Sequence, residues 1–158
     1  MERPLAWVLE RPLVDLCEEG KLVGLRRALE NHIADGGFGR INSRFHTALM
    51  FSVQNQHNSV VEFLLTNSYC NFGNVTNTFT KDTALHCACQ EDNVPALSLL
   101  VHHPSKPDLN TKNSRGETPL MVAVKSGSIS SVRCLVSLPG VNMETRDADG
   151  QDLMQIAR

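Results

Sequence analysis

Thr118-Pro119-Leu120-Met121-Val122-Ala123 is the stretch whose reading decides the fold. Thr118 can cap a helix start by accepting a hydrogen bond from a free backbone amide. Pro119 then falls at the first helical position, where its missing N–H costs nothing. Leu120, Ala123 and Val124 recur at three- and four-residue steps and mark the apolar face of a helix of about two turns. Gly127 follows, the residue expected where a helix stops in a left-handed conformation. Ser128 to Ser131 open a second helix that would bury Val132, Leu135 and Val136, and Leu138-Pro139-Gly140 breaks it before an extended exit.

The same phrase returns along the chain. Thr83-Ala84-Leu85-His86 lies 35 residues upstream, Thr47-Ala48-Leu49-Met50 a further 36, and a degenerate Asp152-Leu153-Met154-Gln155 lies 34 downstream. Arg11-Pro12-Leu13-Val14 begins a worn copy 36 residues before Thr47. Self-similarity at such a period predicts stacked supersecondary units in place of one globular core. The unit is helix, tight turn, helix, long loop, so the fold class expected is an all-α solenoid with extended or hairpin-like connections. The units are set at 1–43 (a capping repeat), 44–79, 80–112, 113–146 and a partial 147–158.

Each copy varies the grammar. Between 80 and 112, Leu85, Ala88 and Cys89 face inward, Asp92-Asn93 replace the terminating glycine, and Pro95 opens a second helix burying Leu97, Leu99, Leu100 and Val101. Asp and Asn tolerate the left-handed region better than most residues. Between 44 and 79, Leu49 and Val53 belong to the first helix, and Val60, Val61, Phe63, Leu64 and Leu65 to the second. The first unit carries Asp15, Arg26 and Arg27 where later units are apolar or neutral, the more polar exterior that a stack end needs. At the other end, half a repeat leaves Met154 and Ile156 poorly covered. The expectation is therefore the N-terminal part of a longer protein, beginning at Met1, with a natural end in a lone helix that caps the fourth unit as the alternative.

Composition narrows the function. The 158 residues are 41% hydrophobic but only 5% aromatic, which suits short packed helices. Fifteen basic against 17 acidic residues, net −2, argue against nucleic acid or a membrane surface held by bulk charge. No stretch is long and apolar enough to span a bilayer, and Glu2 and Glu10 interrupt the N-terminus too early for a secretory signal. Five cysteines, an odd count at repeat-like positions, are read as reduced thiols in the cytoplasm or nucleus.

These residues resemble the ankyrin repeat, whose hallmark is Thr-Pro-Leu-His, then Ala, then Gly, then a Val/Leu-rich second helix. Thr83-Ala84-Leu85-His86-Cys87-Ala88 and the Thr118 copy carry the likeness best, with exit motifs Leu109-Asn110 and Ile41-Asn42. It covers roughly residues 9–158. The copies depart from the hallmark too: one clear copy keeps His, one keeps Pro, and the connection after Leu65 is irregular. The resemblance implies a non-enzymatic protein-binding module, expected to be monomeric, without cofactor. It places contacts just before the Thr and at the end of the first helix. Position by position these are Ser43, Arg44, His46, Gln54 and Asn55; then Phe79, Thr80, Asp82, Gln90 and Glu91; then Ser114, Arg115, Glu117, Lys125 and Ser126. A regulatory or adaptor segment of a larger signalling, ubiquitin-ligase or transcription-control protein is the alternative role.

Chemistry finds little footing. His86, Cys87 and Cys89, with His102-His103 beyond, are the one hint of zinc, which needs four ligands converging at about 2.0–2.3 Å. On a helix, consecutive positions point about 100° apart, so the pair is read as structural. His86 and Cys87 find no third group or oxyanion site for nucleophilic catalysis. Gly36-Gly37-Phe38-Gly39 follows a helix, where a phosphate cradle would follow a strand and open a helix. Phe45, Phe72 and Phe79 fall in connections. They either fold back onto the stack or anchor a partner, and Phe79 stands at a family contact position.

Overall fold

The computed structural model describes residues 48–66, 76–77 and 79–158. Among them are seven helices and no strand: α1 (48–54), α2 (Asn58–Thr66), α3 (Ala84–Gln90), α4 (Val94–Val101), α5 (Pro119–Lys125), α6 (Ile129–Val136) and α7 (Leu153–Ile156). The capping unit, Ile41-Asn42, Ser43, Arg44, Phe45, His46 and Phe72 lie outside the described residues.

Helices of seven or eight residues are too short to persist alone, so tertiary burial and caps must hold them. Thr118 caps α5, its hydroxyl accepting from the Met121 amide at 3.4 Å, and Pro119 follows at the first helical position. Asn93 caps α4 through the Ala96 amide, and Asp152 with Gln155 forms a reciprocal box on α7. The tight turns need one left-handed residue each, and Gln56, Asp92 and Gly127 supply it. Only the third is a glycine. Asp92 gains a second use from its place there: its carboxylate accepts the Ser131 amide of the next unit's second helix at 2.7 Å. Burial opposes that charge, but the serine donors outweigh it and hold the carboxyl below its usual range.

The helices form two layers. First helices stack in the order α3, α5, α7, and second helices in the order α2, α4, α6, with α3 on α4 and α5 on α6 joining the layers. Between them lies one apolar cluster, in which Leu49, Leu64, Leu85, Leu97, Leu120 and Leu135 are fully buried. Leu99, Val101 and Val132 are only partly covered. Val136, expected inside, is 47% exposed, because α6 packs on α4 and α5 and Val136 lies on the side those contacts leave open.

Polar side chains cross each seam between units. Asn93 donates to the Val53 carbonyl at 3.0 Å, and Ser128, at the same place one unit on, donates to the Gln90 carbonyl at 3.4 Å. His86 is more constrained. Its Nδ1 accepts from the Thr83 amide at 3.1 Å and lies 2.9 Å from the Thr83 hydroxyl. That leaves Nε2 to carry the proton and donate to the Glu117 carbonyl at 3.0 Å. The imidazole is neutral and 1% exposed, and burial lowers its pKa from 6.5.

Two outcomes follow from this packing. Leu120→Ala should lower unfolding free energy by about 2–5 kcal/mol in a denaturant melt, since the side chain is sealed between units. The His86 prediction concerns pH. Its folded-state pKa is depressed, so the unfolded chain binds the proton more readily. Stability is complete above 6.5 and declines as pH falls below that value, toward the lowered folded value. A His86→Gln variant measured across that window should lack this component of the slope.

Candidate functional site

The loop tips share one local device. Asn77, Asn113 and Asp147 each open a tip, turning it by accepting hydrogen bonds from amides two to four residues ahead. Asn77 takes Phe79 (2.8 Å) and Thr80 (3.3 Å). Asn113 takes Arg115 and Glu117, both at 3.0 Å, and Asp147 takes Asp149 and Gln151. Such side chains mimic a backbone turn and fix the loop without secondary structure. Each tip then closes on a backbone bond: Asn77 to Asp82, Asn113 to Glu117, Asp147 to Gln151. A left-handed residue stands before each closing position: Lys81, Gly116 and Gly150.

Neighbouring tips are tied to one another. The Ser114 amide donates to the Thr80 carbonyl at 2.8 Å, and the Ala148 amide to the Arg115 carbonyl at 2.9 Å. At the second junction the backbones come so close that a Cβ on Gly116 would stand 2.6 Å from the Ala148 nitrogen. Glycine is required there twice over, for its φ of +71° and for the space. The first tip is one residue longer than the other two between its opening and closing positions. On that longer tip Phe79 is 90% exposed. Phe79 therefore does not fold back onto the described part of the stack.

Along the first-helix face, Gln54, Gln90 and Lys125 end successive helices, and all three are exposed. Asn55 and Ser126 beside them are exposed too, as are Thr80, Ser114 and Arg115 on the tips; Asp82 and Glu91 are half-buried. Several have partners within the stack. Gln54 reaches the Cys87 sulfur at 3.8 Å, Asp82 accepts from Asn113 at 2.9 Å, and Gln90 contacts Glu91 at 3.4 Å.

Glu117 is placed differently from the expectation. Its side chain is 1% exposed, and its carboxylate cannot offer itself to a partner. Arg115 Nε donates to Oε2 at 2.8 Å, Lys125 Nζ to Oε1 at 2.7 Å, and Asn113 to Oε2 at 3.1 Å. Burial works against ionisation, but these three donors prevail and lower its pKa from 4.5. The physical reason for the difference is geometric. The tip folds over the helix start, so the position before Thr118 points inward and binds the tip to the far end of α5.

The cysteine pair is inert by environment. Cys87 and Cys89 are both buried, and burial pushes the Cys87 thiol up to about 12 and the Cys89 thiol higher still. Both His86 ring nitrogens are engaged by protein groups, and no His/Cys/Asp/Glu group of metal-site geometry exists among the described residues. No helix among them is long and apolar enough to cross a membrane.

The tip geometry generates a stability prediction. Gly116→Ala should cost more than about 1 kcal/mol, because it combines a left-handed φ with a backbone collision. Gly150→Ala, with φ +77° and nothing within 4 Å, isolates the conformational part, and the melts should separate in that order.

Comparison with known proteins agrees with this architecture. The family described as Ankyrin repeats (3 copies) matches residues 49–147. Among curated relatives, the nuclear factor NF-kappa-B p110 subunit of Drosophila melanogaster is 36% identical over 81 residues, 49% of this chain and 8% of that protein. The chain therefore spans less than a tenth of that relative's length. The stacked helix pairs, the capped Thr83 and Thr118 helix starts and the matched span together show that this chain belongs to the ankyrin-repeat family, a class of modules that generally mediate protein–protein interaction.

Proposed function

We propose that the chain is a non-enzymatic module that receives a partner protein on its first-helix face and loop tips. The carrying observation is Phe79. An aromatic side chain 90% exposed costs hydration free energy unless something covers it, and interfaces draw much of their affinity from a few such anchors. Its tip is held by the Asn77 bonds and tied to the next tip, so little freedom is lost on binding. Phe79, Thr80, Gln54, Asn55, Gln90, Ser114, Arg115, Lys125 and Ser126 form the exposed contact set, with Asp82 and Glu91 half-buried behind it. Ser43, Arg44 and His46 extend the proposal to the preceding unit. The balanced charge and buried, unreactive thiols favour work as a monomer in the cytoplasm or nucleus, without a cofactor, nucleic acid or membrane.

A second reading, a regulatory or adaptor segment of a signalling or transcription-control protein, draws support from the relative. There the matching stretch is a small part of a subunit named as a nuclear factor. Affinity capture tests the first reading. A protein retained by the wild type should be lost with Phe79→Ala and with Gln90→Ala, yet kept with Arg133→Ala on α6. Retention by both face variants, with loss on Arg133→Ala, would place the interface on the second-helix layer instead.

A further inference from the structure

The Glu117 cluster has a consequence for what the face recognises. Two cations converge on one buried carboxylate, so the group carries a surplus positive charge. Arg115 spends only Nε on that contact, which leaves its two Nη groups unengaged among the described residues; the side chain is 62% exposed, and that of Lys125 56%. The anion sits inside and the cations sit outside. The nearby acids have neutral partners and keep their charge: Asp82 is half-buried on Asn113, and Glu91 half-buried beside Gln90, so the surplus is local to Arg115 and Lys125. Lys81, on the neighbouring tip, is exposed. The third tip carries Asp149 together with the exposed Arg146, which donates to the Gly150 carbonyl and lies 3.8 Å from Asp152, so the unbalanced cation lies with Arg115 and Lys125 around Glu117.

The Ser114–Thr80 backbone bond brings the first two tips together, setting Arg115 and Phe79 on adjacent loops. We propose that this zone binds an extended segment of a partner protein carrying an Asp or Glu beside an apolar side chain. The carboxylate would take the Arg115 guanidinium edge with Lys125, and the apolar group would cover Phe79. A guanidinium whose orientation is fixed by a buried carboxylate loses little freedom when it takes a second one, and its planar edge suits bidentate pairing. The proposal rests on the protein-binding reading above and adds to it the chemistry of the partner.

The test uses arrayed synthetic peptides of fixed length. They carry Glu, Gln, Lys or phosphoserine at one position, and Leu, Phe or Ser two or three residues away. A single-stranded oligonucleotide forms a separate arm. The wild-type protein should retain the Glu peptides with Leu or Phe in preference to all others, and more weakly as salt rises. Arg115→Gln and Phe79→Ala should each weaken that binding by between about tenfold and a hundredfold. Arg133→Gln should leave it unchanged, with folding of every variant checked by thermal melt. A Lys125→Glu variant should shift the preference away from Glu peptides, a readout that loss of packing alone would not produce. Equal retention of Glu and Gln peptides, with loss on Phe79→Ala, would overturn the acidic specificity and leave the face as the binding site. Binding indifferent to every face variant would overturn both readings. Preference for phosphoserine or the oligonucleotide, or no retention of any peptide, would overturn the proposal.

Discussion

A seven-residue helix is nearly all ends, and that constraint governs the structure. The first four amides and last four carbonyls of any helix lack partners within it. In α3 and α5 those unpaired groups are most of the backbone. Leaving them buried and unpaired would cost more than the apolar burial of so small a unit returns. The solution is to lend polar side chains across the seam. Asn93 serves a carbonyl of α1, Ser128 one of α3, and Asp92 the start of α6. His86 links its own helix start to the carbonyl of Glu117 in the following unit. Each unit is completed by its neighbour, and stacking is a condition of folding.

The same logic extends to the loops. A tip has no apolar mass with which to hold its shape, so Asn77, Asn113 and Asp147 set each turn through side-chain acceptors. Single backbone bonds then lock one tip to the next. Asn110 repeats the device at the exits, donating to the Gly140 carbonyl and accepting from the Asn142 amide. The tips proposed as a recognition surface are thus pinned by hydrogen bonds made within the stack itself.

The helices were legible because their signals are local. Thr118-Pro119 and Gly127 fix a start and a stop by backbone chemistry alone, and the inward leucines follow the helical period. Asp92 in place of glycine was legible for the same reason, since its left-handed tolerance is intrinsic. What escaped were features defined by a neighbour. The side chain that opens each tip does carry a signal, an Asn or Asp five or six residues before the capping residue in three successive units, but its meaning depends on the loop it turns. The clamp at Asn142 is the Leu109-Asn110 motif one unit on, with Val141 in place of Leu. Val136 fits the apolar pattern of a buried face, yet a period reports only which residues share a side. It is silent about whether another helix arrives to cover them.

Glu117 shows where such reasoning runs out. A carboxylate at a loop tip looks solvated, because an isolated loop would leave it so. Burial becomes tolerable only when three donors, Asn113, Arg115 and Lys125, converge from both sides of the helix start. None of the three is informative alone, and Lys125 is eight residues away. The convergence links residues that face outward to one that cannot. Arg115 and Lys125 are therefore structural and exposed at once, and a change at either alters both the seating of the tip and the charge it presents. Because tips touch only their neighbours, that disturbance should reach Thr80 and Ala148 through single backbone bonds and fade beyond them. The charge that each tip presents can therefore be altered one unit at a time, provided the inward carboxylate keeps its donors.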